Sequence, residues 1–297
     1  MQVAFIGFGL IGGSIARAIR SNPGTKNWPL SAWSPSGEGP RQALADGVID
    51  VAGNKPEAIL PDADLVVLAG PATSVLPLID KLAGRWRRVL RPDAIVTDVA
   101  STKARIVERA DATGLWFVGG HPMAGRERGG YVASDADLFV DRPWVIIPGA
   151  LAGANDIERV IDLVAACRAQ VVTMDAVVHD RAVAGISHLP LVAAAAMVEA
   201  VANGTGPTRK GAKARKDWSV AADLAAGGWR DATRVALGEP AMGAAIAVTN
   251  APELAARLRD YRNVLDAWLA ELERPGGPDE AALTQRLSTA RAILDGS

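Results

Sequence analysis

Val3-Ala4-Phe5-Ile6-Gly7-Phe8-Gly9-Leu10-Ile11-Gly12 opens with four apolar residues that pass directly into glycines spaced Gly-x-Gly-x-x-Gly. The apolar run reads as a buried strand, and Ile11, Ile15 and Ile19 recur at helical spacing behind it. Strand, glycines and helix in that order form the dinucleotide-binding fingerprint. Gly7 permits the tight turn, Gly9 lets a pyrophosphate approach the backbone, and Gly12 lets the helix pack on the strand. The helix start, around Leu10 and Ile11, would turn free N–H groups and a positive dipole end toward the phosphates. Glycines serving only a turn are the alternative, and the flanking strand and helix argue against it. The expected cofactor is NAD or NADP.

Working outward, Ser31-Ala32-Trp33 reads as a second strand, Asp64 to Gly70 as a fourth that ends at Pro71, and Ala94 to Val99 as the next. Helical patterns at Val75 to Leu82 and Lys103 to Ala110 alternate with them, as in a parallel sheet covered on both faces. Trp144 to Ile147 and Val171 to Met174 add two strands around an amphipathic stretch, Asp156 to Ala169. From Asp175 onward alanine-rich helical patterns dominate, and Pro275-Gly276-Gly277-Pro278 interrupts the last of them before a terminal helix near Asp279 to Leu294. The expected architecture is α/β: a Rossmann-type domain over residues 1–174, then an all-helical domain over 175–297 for substrate binding and dimerisation.

The end of the second strand usually carries an acidic residue for the NAD ribose. Here it is Ser34, followed by Pro35 and Ser36, with Arg41 close behind, so a 2′-phosphate would not be repelled. Glu38 in the same loop leaves NAD open. Pro71 is a further expected cofactor contact.

Composition narrows the class. The 297 residues, 49% of them apolar, suffice for two cores, and a net charge of −1 removes the electrostatic case for a nucleic-acid partner. The chain begins without the pattern of a secretion signal, and its longest apolar run, Leu189 to Val198, contains Pro190 and is short for a bilayer. No membrane segment is expected. The lone Cys167, in a helical pattern, reads as a buried reduced thiol, which fits the cytoplasm. The three histidines show no ligand spacing, so no metal is expected.

Chemistry enters at Gly119-Gly120-His121-Pro122-Met123-Ala124-Gly125, which reads as a tight turn directly after the apolar run Leu115 to Val118. A neutral imidazole there can take a proton near physiological pH, though a histidine that merely caps the turn is the plainer alternative. Ser101, after the strand ending at Val99, falls at the sheet's carboxyl edge, where it serves either the reacting centre or as a helix N-cap. His179, beside Asp180 and Arg181, reads as a solvated residue at a helix start.

Together the fingerprint, Asp98-Val99-Ala100-Ser101-Thr102-Lys103, Gly120-His121-Pro122-Met123-Ala124-Gly125, Ser187-His188-Leu189-Pro190 and Gly228-Trp229-Arg230-Asp231-Ala232-Thr233-Arg234 resemble the prephenate and arogenate dehydrogenase family of tyrosine biosynthesis. They follow the family's order over residues 3 to about 270. The resemblance implies oxidative decarboxylation: a cyclohexadienol loses hydride from C4 to the nicotinamide while its ring carboxylate leaves as carbon dioxide. It implies His121 as base and Ser101 as its helper near the reacting atoms. Arg234 would hold a substrate carboxylate through its planar fork, against the plainer reading of a surface arginine paired with Asp231. His188 would enter the substrate cleft or buttress it, with support favoured. A homodimer is expected, because helices such as Leu189 to Val201 present more apolar surface than a small domain buries.

Two positions depart from the prephenate-specific pattern, with Leu191 where a histidine is common and Gly243 where a tryptophan is, whereas Glu127 is similar to a prephenate-type substrate contact. Prephenate, arogenate and the 4-amino-4-deoxyprephenate of antibiotic-pathway relatives therefore all stay open. The basic stretch Arg209 to Lys216 reads as a solvated loop. A 3-hydroxyacid dehydrogenase would use a cleft lysine, and none lies between Lys103 and Lys210. A non-catalytic nucleotide sensor remains the non-enzymatic alternative, disfavoured by the near-neutral charge.

Overall fold

The computed structural model describes residues 1–126, 128–203 and 212–296. It divides into two compact units, Met1–Ala251 and Pro252–Ser297.

The first unit is built on an eight-stranded sheet. Its strands are β1 (Val3–Ile6), β2 (Leu30–Trp33), β3 (Val51–Ala52), β4 (Leu65–Leu68), β5 (Ile95–Asp98), β6 (Phe117–Pro122), β7 (Pro143–Pro148) and β8 (Gln170–Thr173). They lie side by side in the order β3-β2-β1-β4-β5-β6-β7-β8. The order reverses between β1 and β4, and the crevice at such a switch point is where doubly wound sheets hold a dinucleotide.

Alternation along the strands feeds two cores. Val3, Phe5, Leu30, Ala32, Leu65 and Val67 face one, with Ile15 and Ile19 of α1 (Leu10–Ser21), Ala43 of α2 (Glu38–Ala45) and Val160 and Leu163 of α5 (Ala154–Ala166). Ala4, Ile6, Val66 and Leu68 face the other, with Val75 and Ile79 of α3 (Ala72–Ala83) and Ile106 and Ala110 of α4 (Ala104–Thr113). β1 and β4 are therefore apolar on both sides, which is why these runs read as continuously hydrophobic. Cys167 is wholly buried here, and burial pushes its thiol pKa up, away from reactivity.

The expectation of a purely parallel sheet is corrected at one point. β7 runs antiparallel to β6, with His121 opposite Val145. Among its described residues the connection through 123–142 contains only the short 3₁₀ turn Tyr131–Ala133, so the chain re-enters the sheet from the edge it left. That connection is held against α1, where Ser14 Oγ accepts from the Asp135 N–H at 2.9 Å.

Past β8 come α6 (Ala176–Val183), a π turn at Ala184–His188, and α7 (Leu189–Asn203). The three form one continuous helix over Ala176–Ala202, longer than the apolar run predicts, because a π turn tolerates Pro190. Pro190 has no N–H for a bond to the carbonyl four residues back, and the Leu189 N–H already reaches five back, to Ala184. By length and composition this helix would suffice to cross a bilayer. Its first half, however, buries His179, Asp180 and His188, and such groups are costly against lipid. α8 (Ala212–Asp223), α9 (Gly227–Thr233), a 3₁₀ turn (Arg234–Leu237) and α10 (Pro240–Thr249) complete the unit.

The second unit comprises nearly all of α11 (Ala251–Leu272) together with α12 (Glu280–Asp295). Between them Gly276 and Gly277 take φ +93° and +95°, a region that side-chain-bearing residues avoid. Asp279 caps α12 by accepting from the Ala281 N–H at 2.9 Å, and the Arg286 guanidinium lies over the Trp268 ring at 4.7 Å.

Candidate active site

The fingerprint glycines differ in their surroundings. Gly7 adopts φ +89°, and a Cβ there would lie 2.7 Å from the Ala69 carbonyl oxygen. At Gly12 a Cβ would press on Ala69 Cβ and the Gly7 carbonyl at 3.2 Å, because α1 lies so close to the strand ends. Gly9 is the opposite case: a Cβ would meet nothing within 4 Å. The backbone at Gly9 is thus open on its outer side, directly before the N-terminus of α1, as a pyrophosphate requires. Pro71 caps α3 directly after the Ala69-Gly70 backbone that Gly7 touches. At the end of β2, Ser34 is buried and its Oγ has no protein partner. These residues fit a dinucleotide.

His121 is the last residue but one of β6 and not part of a turn, which corrects the reading of its glycine neighbours. A Cβ on Gly120 would lie 2.5 Å from the Asp98 carbonyl oxygen, and one on Gly119 would lie 3.3 Å from Val107 Cγ2. The glycines allow close approach of β5 and α4, and neither has a positive φ. Immediately beneath, the ammonium of Lys103 pairs with the carboxylate of Asp98, both fully buried, and donates to the Gly120 carbonyl at 2.8 Å. Asp98 also accepts from the Ala100 N–H at 2.9 Å and the Gly120 N–H at 3.2 Å. Burial acts against the charge of both partners, raising the pKa of Asp98 and lowering that of Lys103, and each partner's charge opposes this.

All three histidines of the chain are buried. His121 Nδ1 is 2.8 Å from His179 Nε2, the rings meeting edge-on at 77°. His179 Nδ1 is 2.7 Å from Asp180 Oδ1. The Asp180 carboxylate also accepts the N–H groups of Lys103 at 2.7 Å and Ala104 at 2.9 Å, capping α4 from another helix. Asn250 Nδ2 donates to the Asp180 carbonyl at 2.8 Å and lies 3.1 Å from His188 Nδ1. Burial holds the His121 pKa well below the usual imidazole range, and His179, Lys103 and His188 add to the effect. Burial also lowers His188, to about 4, against the pull of Asp180.

His179 is therefore not the solvated residue the sequence suggests. Within α6, His179, Asp180 and Val183 are its buried residues, and the i, i+4 spacing of His179 and Val183 was the available signal. Asn250 and Lys103 carried no such local mark. Ser101 lies in the β5–α4 loop, half-buried, and α4 itself begins after Lys103, so the N-cap role falls to Asp180 instead. Arg234 is exposed at the head of the 3₁₀ turn that packs on α7, outside the buried cluster. Leu191 and Gly243 adjoin, a Cβ at 243 lying 3.3 Å from Leu191 Cδ2. Glu127 and the side chains of the basic stretch Arg209 to Lys216 lie outside the described residues.

A doubly wound sheet with a dinucleotide cradle at its switch point, and a buried neutral histidine at the same edge, defines a nicotinamide-dependent oxidoreductase. The chain belongs to the prephenate dehydrogenase family, whose nucleotide-binding domain matches residues 15–173 and whose dimerization domain matches residues 175–285. It is 31% identical to the prephenate dehydrogenase of Bacillus subtilis, covering 99% of this chain and 75% of that one. The Synechocystis arogenate dehydrogenase structure is 31% identical with a TM-score of 0.76, covering 99% and 100%. A. aeolicus prephenate dehydrogenase, solved with hydroxyphenyl propionate and NAD+, shares the fold at a TM-score of 0.83 and 24% identity, covering 99% and 98%.

Proposed function

We propose that this enzyme oxidatively decarboxylates prephenate or arogenate, with His121 drawing the C4 hydroxyl proton. The observation that carries the reading is His121, buried near the end of β6 at the same sheet edge as the cradle and with its pKa held below the usual range, so that it is a neutral acceptor at physiological pH. When bound, the nicotinamide nucleotide accepts the hydride. The chain's own residues orient and neutralise. Ser101 hydrogen-bonds near the reacting carbon, and Arg234 and Glu127 set the substrate's carboxylates and side chain. His188 buttresses the pocket through Asn250 and presents its buried Nε2 to it. Loss of carbon dioxide supplies the electron pair that aromatises the ring, and the product phenol regains the proton.

Gly7, Gly9, Leu10, Ile11, Gly12 and Pro71 are assigned to the pyrophosphate side of the cofactor, and Ser34 to its ribose. NADP is the preferred form in this reading. Glu38 is engaged by Gln42 at 3.4 Å one turn along α2, whereas the Arg41 guanidinium lies back over Gly37 and reaches the Ser36 carbonyl at 3.4 Å. Arg41→Ala should weaken NADP binding about tenfold, the scale of a charge-assisted hydrogen bond, with NAD little affected. Titration of cofactor fluorescence would measure this, and an equal loss for both cofactors would refute the preference.

The division of labour follows residues 1–174 and 175–297, with the second part for substrate and dimerisation. Within the Pro252–Ser297 unit, Leu265, Leu269, Leu272, Leu287, Ile293 and Leu294 are exposed, which supports a homodimer. Light scattering should give twice the chain mass, and a monomer at working concentration would exclude it. Cytoplasmic placement rests on the single buried thiol.

The deciding experiment is nicotinamide reduction with prephenate and with arogenate, each against NAD and NADP. Turnover with either supports the reading. Leu191 and Gly243, being in contact, would set the side-chain preference together. Failure of all four pairs despite cofactor binding would redirect attention to 4-amino-4-deoxyprephenate or to a sensing role.

A further inference from the structure

The geometry points to His179 and Asp180 as positioning residues that fix the protonation pattern of His121, leaving its Nε2 lone pair as the only free end of a three-member chain. The inference rests on the reading of His121 as proton acceptor, but its structural core can be tested without turnover.

The argument is one of forced assignments. An ionised carboxylate only accepts hydrogen bonds, and a neutral imidazole has one N–H and one lone pair. Asp180 already accepts the backbone N–H groups of Lys103 and Ala104 with its two oxygens, so the 2.7 Å contact to His179 requires the proton on His179 Nδ1. His179 Nε2 is then a lone pair. The 2.8 Å contact to His121 Nδ1 in turn requires the proton there. His121 Nε2 is left as an acceptor. The opposite tautomer of His121 would set two lone pairs against each other at a site where water cannot intervene, since His121, His179 and Asp180 are 8%, 1% and 2% exposed.

The same logic runs through Asn250. Its amide nitrogen donates to His188 Nδ1, so His188 carries its proton on the buried Nε2. One histidine is thereby set to accept at Nε2 and the other to donate there. Asp180 anchors the accepting chain at the N-terminus of α4, whose dipole favours a negative charge.

In the reaction the substrate hydroxyl proton moves to His121 Nε2 as the C4 hydride leaves for the nicotinamide and the C1–carboxylate bond breaks to release carbon dioxide. Charge develops on the imidazole ring, and the Nδ1–H···His179···Asp180 chain stabilises it. The proton returns to the product oxygen, so the histidine chain is restored, and the net change is one oxidised nicotinamide reduced and one carbon dioxide released.

Nitrogen-15 imidazole spectra of the full-length protein test this directly, because only three histidines contribute. The expected pattern at neutral pH is Nδ1–H for His121 and His179 and Nε2–H for His188. Finding His121 as the Nε2–H tautomer would overturn the proposal. The kinetic arm compares His179→Gln with His179→Ala. Glutamine can accept from His121 and donate to Asp180, so kcat should stay within about tenfold of the parent, whereas alanine should lower kcat by about 10²-fold or more, as a mis-set tautomer does in catalytic histidine systems. KM for substrate and Kd for cofactor should hardly move in either. Equal losses in the two variants, with native circular dichroism and cofactor binding, would also overturn it. If the unaltered enzyme turns over no cyclohexadienyl substrate, the functional reading fails while the tautomer pattern still stands or falls on the spectra.

Discussion

Replacing His121 by asparagine should lower kcat by about 10²–10⁴-fold, the usual contribution of a positioned acid–base group, with cofactor affinity unchanged. Asparagine can still hydrogen-bond His179, so the cluster should survive the exchange. The pH profile carries a second expectation. Burial lowers the His121 pKa and so favours its neutral form, which places the acid limb of kcat/KM below the ordinary imidazole value of about 6.5. That limb should vanish in His121→Asn. A loss under tenfold, or an unchanged limb, would remove His121 from the chemistry. Stability should follow the same sign: with His188 held at about 4 in the folded chain, the unfolded chain alone binds a proton between about 6.5 and 4. Stability is then retained above that window and lost as pH falls through it.

Lys103→Met should be the most damaging single change to stability outside the apolar cores. The ammonium is fully buried against Asp98 and also holds the Gly120 carbonyl. Its removal leaves a buried carboxylate with two backbone N–H partners and no countercharge, at a cost of about 3–5 kcal/mol. The urea midpoint measures it. The double variant Asp98→Asn/Lys103→Met should recover part of the loss, because no uncompensated charge then remains. A cost under about 1 kcal/mol for the single change would mean that Asp98 goes neutral instead, the direction in which burial already pushes it. Since Gly120 precedes His121 on β6, a surviving Lys103→Met protein should also lose activity through misplacement of the imidazole.

Much of this molecule is legible locally. The β1 run, the glycine spacing and the α1 periodicity are short-range patterns, and each appears in the fold where the pattern puts it. Elements with weak local signals were missed: β3 is two residues long, and the direction of β7 follows from the route of a connection with no period to read. His121 was singled out by its motif, but the reading of that motif as a turn is corrected. Its glycines serve close packing against the Asp98 backbone, a constraint visible only once β5 and β6 are side by side.

The histidine cluster marks the division most clearly. Sequence order alone determined a doubly wound dinucleotide-binding half, a helical second half, and a histidine at the sheet's carboxyl edge, because strand and helix periods and glycine spacing are properties of neighbouring residues. Only tertiary structure decided which residues stand behind that histidine. His179 and Asp180 become its supports because α6 docks on the N-terminus of α4, and Asn250 joins them from the end of α10. Burial and hydrogen-bond partnership across 58 or 70 residues of chain are set by how elements pack, and no local period encodes that.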